Sequence, residues 1–454
     1  MTVPAPLADW GRGGRTGTGG VEGRLGVAQT GARGVGGADA WGGGLARSDP
    51  EVAALLGAEV RRQALEISLV ASESVSSPAV WAAAHPALAG PCADGLPGAR
   101  RSGGCRHLDA LEALACQRAA AVFGAGHVNV QPHAGAQAVL AGCRALCRPG
   151  DTVLALDPLG GGHASHGGAL SPAADLYRVV HYGVRRDSGV LDMEEVLAEA
   201  RRVRPTLLIA GGSAYPRTLD FAAFAHVASE VGARLLVDIA QIGGLVAAGL
   251  HPNPVPFADV VVGTTHKGLG GPRGGFLLCR PAWARAVDRA VYPGVQGAPR
   301  LDAVAAKAVC FKEAASAGFA DFQGRVVRNA ASLARALVAR GHVLVSGGTD
   351  THLLVIDLRS EGLSGRQAER QLEAAGLGCT RQPVPFDPRP PQRASGVRLG
   401  TGVVTARGMG EPEMGVLAEI VSGLLRATPG AGDAALEEAR QRVGALAASF
   451  PLPE

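Results

Sequence analysis

The segment Val260-Val261-Val262-Gly263-Thr264-Thr265-His266-Lys267-Gly268-Leu269-Gly270-Gly271-Pro272-Arg273-Gly274-Gly275 runs from an apolar stretch straight into a glycine-rich turn. The β-branched run predicts a buried strand, and the glycine cluster predicts a turn at its carboxyl end. Lys267 stands where the two meet. It is one of three lysines, with Lys307 and Lys312, in a chain of 44 Lys and Arg residues. Arginine replaces lysine almost everywhere else, a bias that GC-rich coding explains. At Lys267 the chemistry separates the two side chains, because an amine can lose its proton and form an imine while a guanidinium cannot. A Schiff-base lysine is therefore the reading pursued, with an ordinary loop lysine as its alternative.

Outward from this segment, similar short runs recur: Thr152 to Leu156, Thr206 to Ala210, Arg234 to Asp238, Asp259 to Val262 and Gly275 to Cys279. Continuous apolar strands interleaved with helical stretches predict an α/β fold, with a mainly parallel sheet covered on both faces. Ligands of such sheets bind at the carboxyl ends of the strands. Asp238 and the Thr264-to-Lys267 segment both fall there. Pro50 to Ile67 has helical spacing behind an Asp49 cap. A Pro-rich stretch from Pro383 to Pro391 and a second α/β texture predict a smaller C-terminal domain. The expected organisation is a disordered Gly/Arg-rich segment at 1–48, an N-terminal arm and large domain at 49–315, and a small domain at 316–454.

The formal net charge of +4 points to no particular partner, and no nucleic-acid surface or membrane span is expected. The eight cysteines form no CxxC pair and no zinc spacing, which fits reduced thiols in a cytoplasmic protein. No metal-ligand set is read from the sequence.

If Lys267 holds an aldehyde as an imine, the cofactor to expect is pyridoxal 5'-phosphate. That cofactor also needs a carboxylate at its ring nitrogen, a phosphate cradle and a flat partner for the ring. Asp238, ending its strand, is the candidate carboxylate, although aspartates also serve as turn residues. Gln131-Pro132-His133-Ala134-Gly135-Ala136-Gln137 offers a helix start for an anion. His163 is the candidate ring partner.

With these residues in view the chain resembles the serine hydroxymethyltransferases. The matching segments include Leu69 to Ser74, Gly95 to Arg100, Val128 to His133, Ser213 to Arg217, Thr264 to Lys267, Gly271 to Gly275, Tyr292 to Gly297 and Ser395 to Arg398. The resemblance implies the aspartate-aminotransferase-like architecture (fold type I) and a homodimer with active sites at the subunit interface. It implies serine–glycine interconversion with tetrahydrofolate as one-carbon acceptor. By position, Lys267 matches the imine lysine, Asp238 the ring-nitrogen partner and His163 the stacked histidine. Ser213 and His266 match cofactor contacts, and Gly135, flanked by Ala134 and Ala136, matches the phosphate cradle. Cys92, Gln241 and Ala298 fall at further cofactor-side positions, and Thr264 at a catalytic one. Ser72 and Arg398 match the substrate side, with Arg398 as the clamp for the amino-acid carboxylate.

The departures concern proton transfer and folate. The family's glutamate near the hydroxymethyl group is Asp94, shorter by one C–C bond, about 1.5 Å. Two tyrosines are Arg101 and Ser102, a cofactor-side tyrosine is Cys92, and a histidine is Gln241. Two other readings therefore accompany the main one. The first is a folate-independent aldolase or transaldolase acting on β-hydroxy-α-amino acids, and the second a cofactor-binding paralogue with little activity.

Overall fold

The computed structural model describes residues 44–426 and 432–453. Residues 1–43 of the expected disordered tail lie outside these. Gly44–Ser48, assigned to the same tail, instead forms a short helix, because Asp49 N–H bonds to the Leu45 carbonyl at 2.7 Å. The next helix, Pro50–Leu65, starts as its sequence indicates, with Asp49 Oδ1 accepting from Val52 N–H at 3.0 Å.

The main sheet has seven strands: β1 (His127–Asn129), β2 (Thr152–Leu156), β3 (Arg178–Tyr182), β4 (Leu207–Ala210), β5 (Arg234–Asp238), β6 (Val260–Thr264) and β7 (Gly275–Cys279). Their spatial order is β1-β7-β6-β5-β4-β2-β3, parallel except for β7, which runs antiparallel to both neighbours. Two strands escaped the sequence reading. β1 is only three residues long, and β3 is an edge strand whose polar, part-exposed positions mask its pattern.

The uninterrupted apolar runs have a direct cause. Alternate side chains leave opposite faces of a strand, and both faces are covered. Leu154, Leu156, Leu235, Val237 and Val261 enter one core, with Ala115 and Phe123 of helix Arg106–Phe123 and Val304 and Phe311 of helix Leu301–Ala314. Val153, Ala155, Leu236, Val260 and Val262 enter the other, with Ala138 of helix Gly135–Leu146 and Val287 of helix Ala284–Val291. Few aromatics are needed. Phe123, Phe276 and Phe311 form one cluster, with Phe276 centred 5.5 Å from Phe123 and 5.4 Å from Phe311.

A second, antiparallel sheet contains β8 (Val343–Leu344), β9 (Leu353–Asp357), β10 (Thr380–Gln382) and β11 (Gly396–Gly400), in the order β8-β9-β11-β10. Its core takes in helices Gly365–Ala374 and Glu411–Arg426. Ile67 and Leu69, far away in sequence, also belong to this core, because Ile67–Ser68 pairs in parallel with Leu377–Gly378. The small-sheet core therefore draws on residues from both sides of the large sheet in sequence.

Candidate active site

Two turns of the chain meet at the carboxyl edge of the large sheet. The reversal from β6 into antiparallel β7 sets Thr264 opposite Gly275 and leaves Lys267 in the intervening turn. Asp238, the last residue of β5, pairs in register with Val262 of β6. The third contributor is β11. Val397 and Leu399 enter the small-sheet core, so strand alternation sends Arg398 the opposite way, towards the large sheet.

These groups line a cavity of about 420 Å³. Of the residues picked from the sequence, Ser72, Ala134, Gly135, Ala136, His163, Ser213, Asp238, Gln241, Thr264, His266, Lys267 and Arg398 all face it. Cys92, Asp94 and Ala298 do not. Within one chain Cys92 is exposed and donates its thiol proton to Asp94 Oδ2 at 2.9 Å, while the Ala298 carbonyl contacts His133 Nε2 at 3.0 Å. The cavity also gains Glu73, Ser165 and Arg273, which the sequence reading left without a role.

Lys267 is largely buried, and desolvation lowers its pKa from 10.5 to about 8 against the pull of Asp238, with Arg398 and Arg273 adding to the fall. An imine-forming amine reacts in its neutral form, and the lowered pKa makes that form far more abundant near pH 7 than in a free lysine. Burial raises the pKa of Asp238, but the His166 hydrogen bond and the charge of its histidine neighbours outweigh it, and the carboxyl titrates below its ordinary value. His166 Nε2 lies 2.8 Å from Asp238 Oδ2, and Ala240 N–H donates to Oδ1 at 2.7 Å. His166 was missed as a participant, although a buried aspartate demands such a partner. It lies three residues after His163 in the same loop, and the one-turn helix Ala164–His166 carries it under the carboxylate.

His163 accepts from Ser165 N–H through Nδ1 at 3.2 Å, which leaves its proton on Nε2. Burial lowers the pKa of His163, and separately that of His266, to about 4, so both rings are neutral near pH 7. Arg398 donates from Nη1 to the Ser213 carbonyl at 2.6 Å and to Ser213 Oγ at 3.0 Å. Its buried Nε has no partner among the described residues. Gln241 approaches His352 Nε2 at 3.4 Å and separates the cavity from an apolar one of about 330 Å³ that also reaches Glu73.

The residues fit pyridoxal phosphate. Helix Gly135–Leu146 begins at Ala134 without a side-chain cap, so its first N–H groups are free to meet an anion at the positive end of the helix dipole. Gly135 keeps that approach open, since a Cβ there would lie 2.6 Å from Thr264 Cγ2. The unpartnered Nε of Arg398 awaits an acceptor such as a carboxylate.

A seven-stranded mixed sheet with one reversed strand thus carries a buried lysine and an aspartate on one cavity at its carboxyl edge. The family model described as serine hydroxymethyltransferase matches residues 45–421. A serine hydroxymethyltransferase from Myxococcus xanthus (strain DK1622) is 47% identical over 408 residues, which cover 90% of this chain and 97% of the relative. The chain belongs to the serine hydroxymethyltransferase family.

Proposed function

We propose that this protein interconverts serine and glycine with pyridoxal phosphate held at Lys267 and tetrahydrofolate as the one-carbon acceptor. The observation that carries the reading is the facing of Lys267, Asp238 and Arg398 around one cavity beside an uncapped helix start. The cofactor, when bound, supplies an electron sink for bond breaking at the substrate Cα.

The chain's own residues do the rest. Lys267 would supply the amine that holds the cofactor. Asp238, hydrogen-bonded to His166, would hold the ring nitrogen protonated. Neutral His163, on the same cavity, would adjoin the ring without adding a competing charge. The free N–H groups at Gly135 and Ala136 receive the phosphate, and Arg398 receives the amino-acid carboxylate through its fork. Ser72 lines the same wall.

Asp94 is the group assigned to proton handling at the hydroxymethyl carbon, and within one chain it does not face the cavity. A homodimer in which Asp94 and Cys92 of a second copy complete the site accounts for this placement. Cytoplasmic location fits the eight free cysteines and the lack, among the described residues, of any helix long and apolar enough to cross a membrane.

The test mixes purified protein, pyridoxal phosphate and glycine, with and without tetrahydrofolate, while visible absorbance is followed. Hydroxymethyl transfer requires a glycine-induced long-wavelength band that grows with tetrahydrofolate. A band indifferent to folate overturns the folate assignment. Lys267→Arg must lose the absorbance of lysine-bound cofactor, and retention of it refutes the lysine assignment.

A further inference from the structure

Lys307 is 1% exposed, yet it carries an amine. It projects from helix Leu301–Ala314, and its Nζ donates to three backbone carbonyls: Val130 O at 2.6 Å, Gly275 O at 2.8 Å and Pro132 O at 3.1 Å. An ammonium has three protons in tetrahedral array, one for each acceptor, whereas a guanidinium is a planar fork. Burial lowers the pKa of Lys307 to about 7, with Glu112 opposing, so the three-proton form that serves all three carbonyls is the major one below pH 7.

The three carbonyls belong to the two loops that frame the anion cradle. Pro132 lies two residues before Ala134, where helix Gly135–Leu146 starts, and Gly275 follows the turn that carries Lys267 and Arg273. The loops are also tied directly, Gly275 N–H donating to Pro132 O at 2.9 Å. Gly274 lies flat against the amine, since a Cβ there would meet Lys307 Cε at 2.5 Å and Nζ at 2.7 Å. In a chain with only three lysines, this one is buried against the strand that follows the turn carrying Lys267.

We propose that Lys307 is a positioning residue for phosphate binding: its ammonium clamps the Val130–Pro132 loop to the Gly274–Gly275 turn, and so aims the N–H groups at the start of helix Gly135–Leu146 into the cavity. The inference rests on the pyridoxal phosphate reading of that cavity. Lys307→Met keeps the stem and removes all three donors. The loop has other anchors, Gln131 Nε2 donating to Glu112 at 2.8 Å and Gln296 Nε2 to the Gln131 carbonyl at 2.9 Å, so its course survives the change while its aim does not.

The experiment compares full-length parent and Lys307→Met, each stripped of cofactor and checked by circular dichroism. Each is titrated with pyridoxal phosphate, with pyridoxal lacking the phosphate, and with inorganic sulfate. The expected result is at least tenfold weaker binding of pyridoxal phosphate and of sulfate, with pyridoxal changed by less than twofold. Equal weakening of pyridoxal and pyridoxal phosphate, or no weakening of either, overturns the proposal. Gly274→Ala displaces the amine without removing its charge. If Lys307→Met does not fold, this variant carries the test, and unchanged sulfate and pyridoxal phosphate affinity in it refutes the clamp. Should the parent bind sulfate but no pyridoxal phosphate, the cofactor reading fails while the sulfate comparison still decides the role of Lys307.

Discussion

Gly135→Ala tests the cradle most directly. The added methyl would sit 2.6 Å from Thr264 Cγ2, where ordinary carbon contacts are about 3.5–4.0 Å, so roughly 1 Å of movement is needed. Thr264 cannot supply it by rotating, because its Oγ1 is tied to the Ala240 carbonyl at 3.1 Å. The helix start has to retreat from the cavity. Overpacking of this kind costs about 1–3 kcal/mol. Alanine's better helix propensity offsets at most about 1 kcal/mol of that. The N–H groups that meet the phosphate move with the backbone, and a loss of about 1.4 kcal/mol in cofactor binding, or tenfold in Kd, is expected. Fluorescence titration of cofactor-free protein with pyridoxal phosphate measures it. Thr264→Ser removes only the obstructing methyl and keeps the hydroxyl, so the double variant should recover most of the affinity. Parent-like binding by Gly135→Ala, or no recovery in the double variant, would falsify the steric argument.

Two further outcomes follow from charge and reach. Lys267 titrates near 8 when folded and near 10.5 when free, a difference worth about 3 kcal/mol. Between those values the unfolded chain holds a proton that the folded one has released, so the cofactor-free protein should gain stability as pH rises from 8 to 10.5. Below pH 8 it bears the full cost, and Lys267→Met should be the more stable protein there. Denaturant melts across pH 7–10.5 measure this, and parallel curves for parent and variant would contradict the assignment. Asp94→Glu restores about 1.5 Å of reach, and because an ångström of misplacement can cost about 10²-fold in rate, tetrahydrofolate-dependent turnover should rise roughly tenfold. Unchanged or lower kcat would show that the shorter carboxylate is already well placed.

Much of the site was legible in the chain because strand ends and glycine turns are local features. Asp238 and Lys267 announce themselves at the ends of apolar runs, and the helix start at Gly135 by its small residues. His166 was not legible. Its spacing from His163 carries no signal until the loop folds and brings its ring to the carboxylate of a strand 72 positions later. The reversal of β7 was equally hidden, since a fully buried strand reads the same in either direction. Cys92 and Asp94 lie away from the cavity of their own chain, although their motif suits an active site.

The amino-acid sequence by itself determined the covered parallel sheet, through apolar runs that leave no polar face, and singled out Lys267 as the candidate for imine chemistry, which an amine can perform and a guanidinium cannot. Tertiary structure alone decided which groups share the cavity. Arg398 reaches it because its neighbours Val397 and Leu399 are taken by the other core, and Lys307 reaches carbonyls 177, 175 and 32 positions before it in the chain. Burial did the rest. Desolvation set the protonation of Lys267, His163 and His266, and no sequence pattern encodes how much water a folded chain excludes.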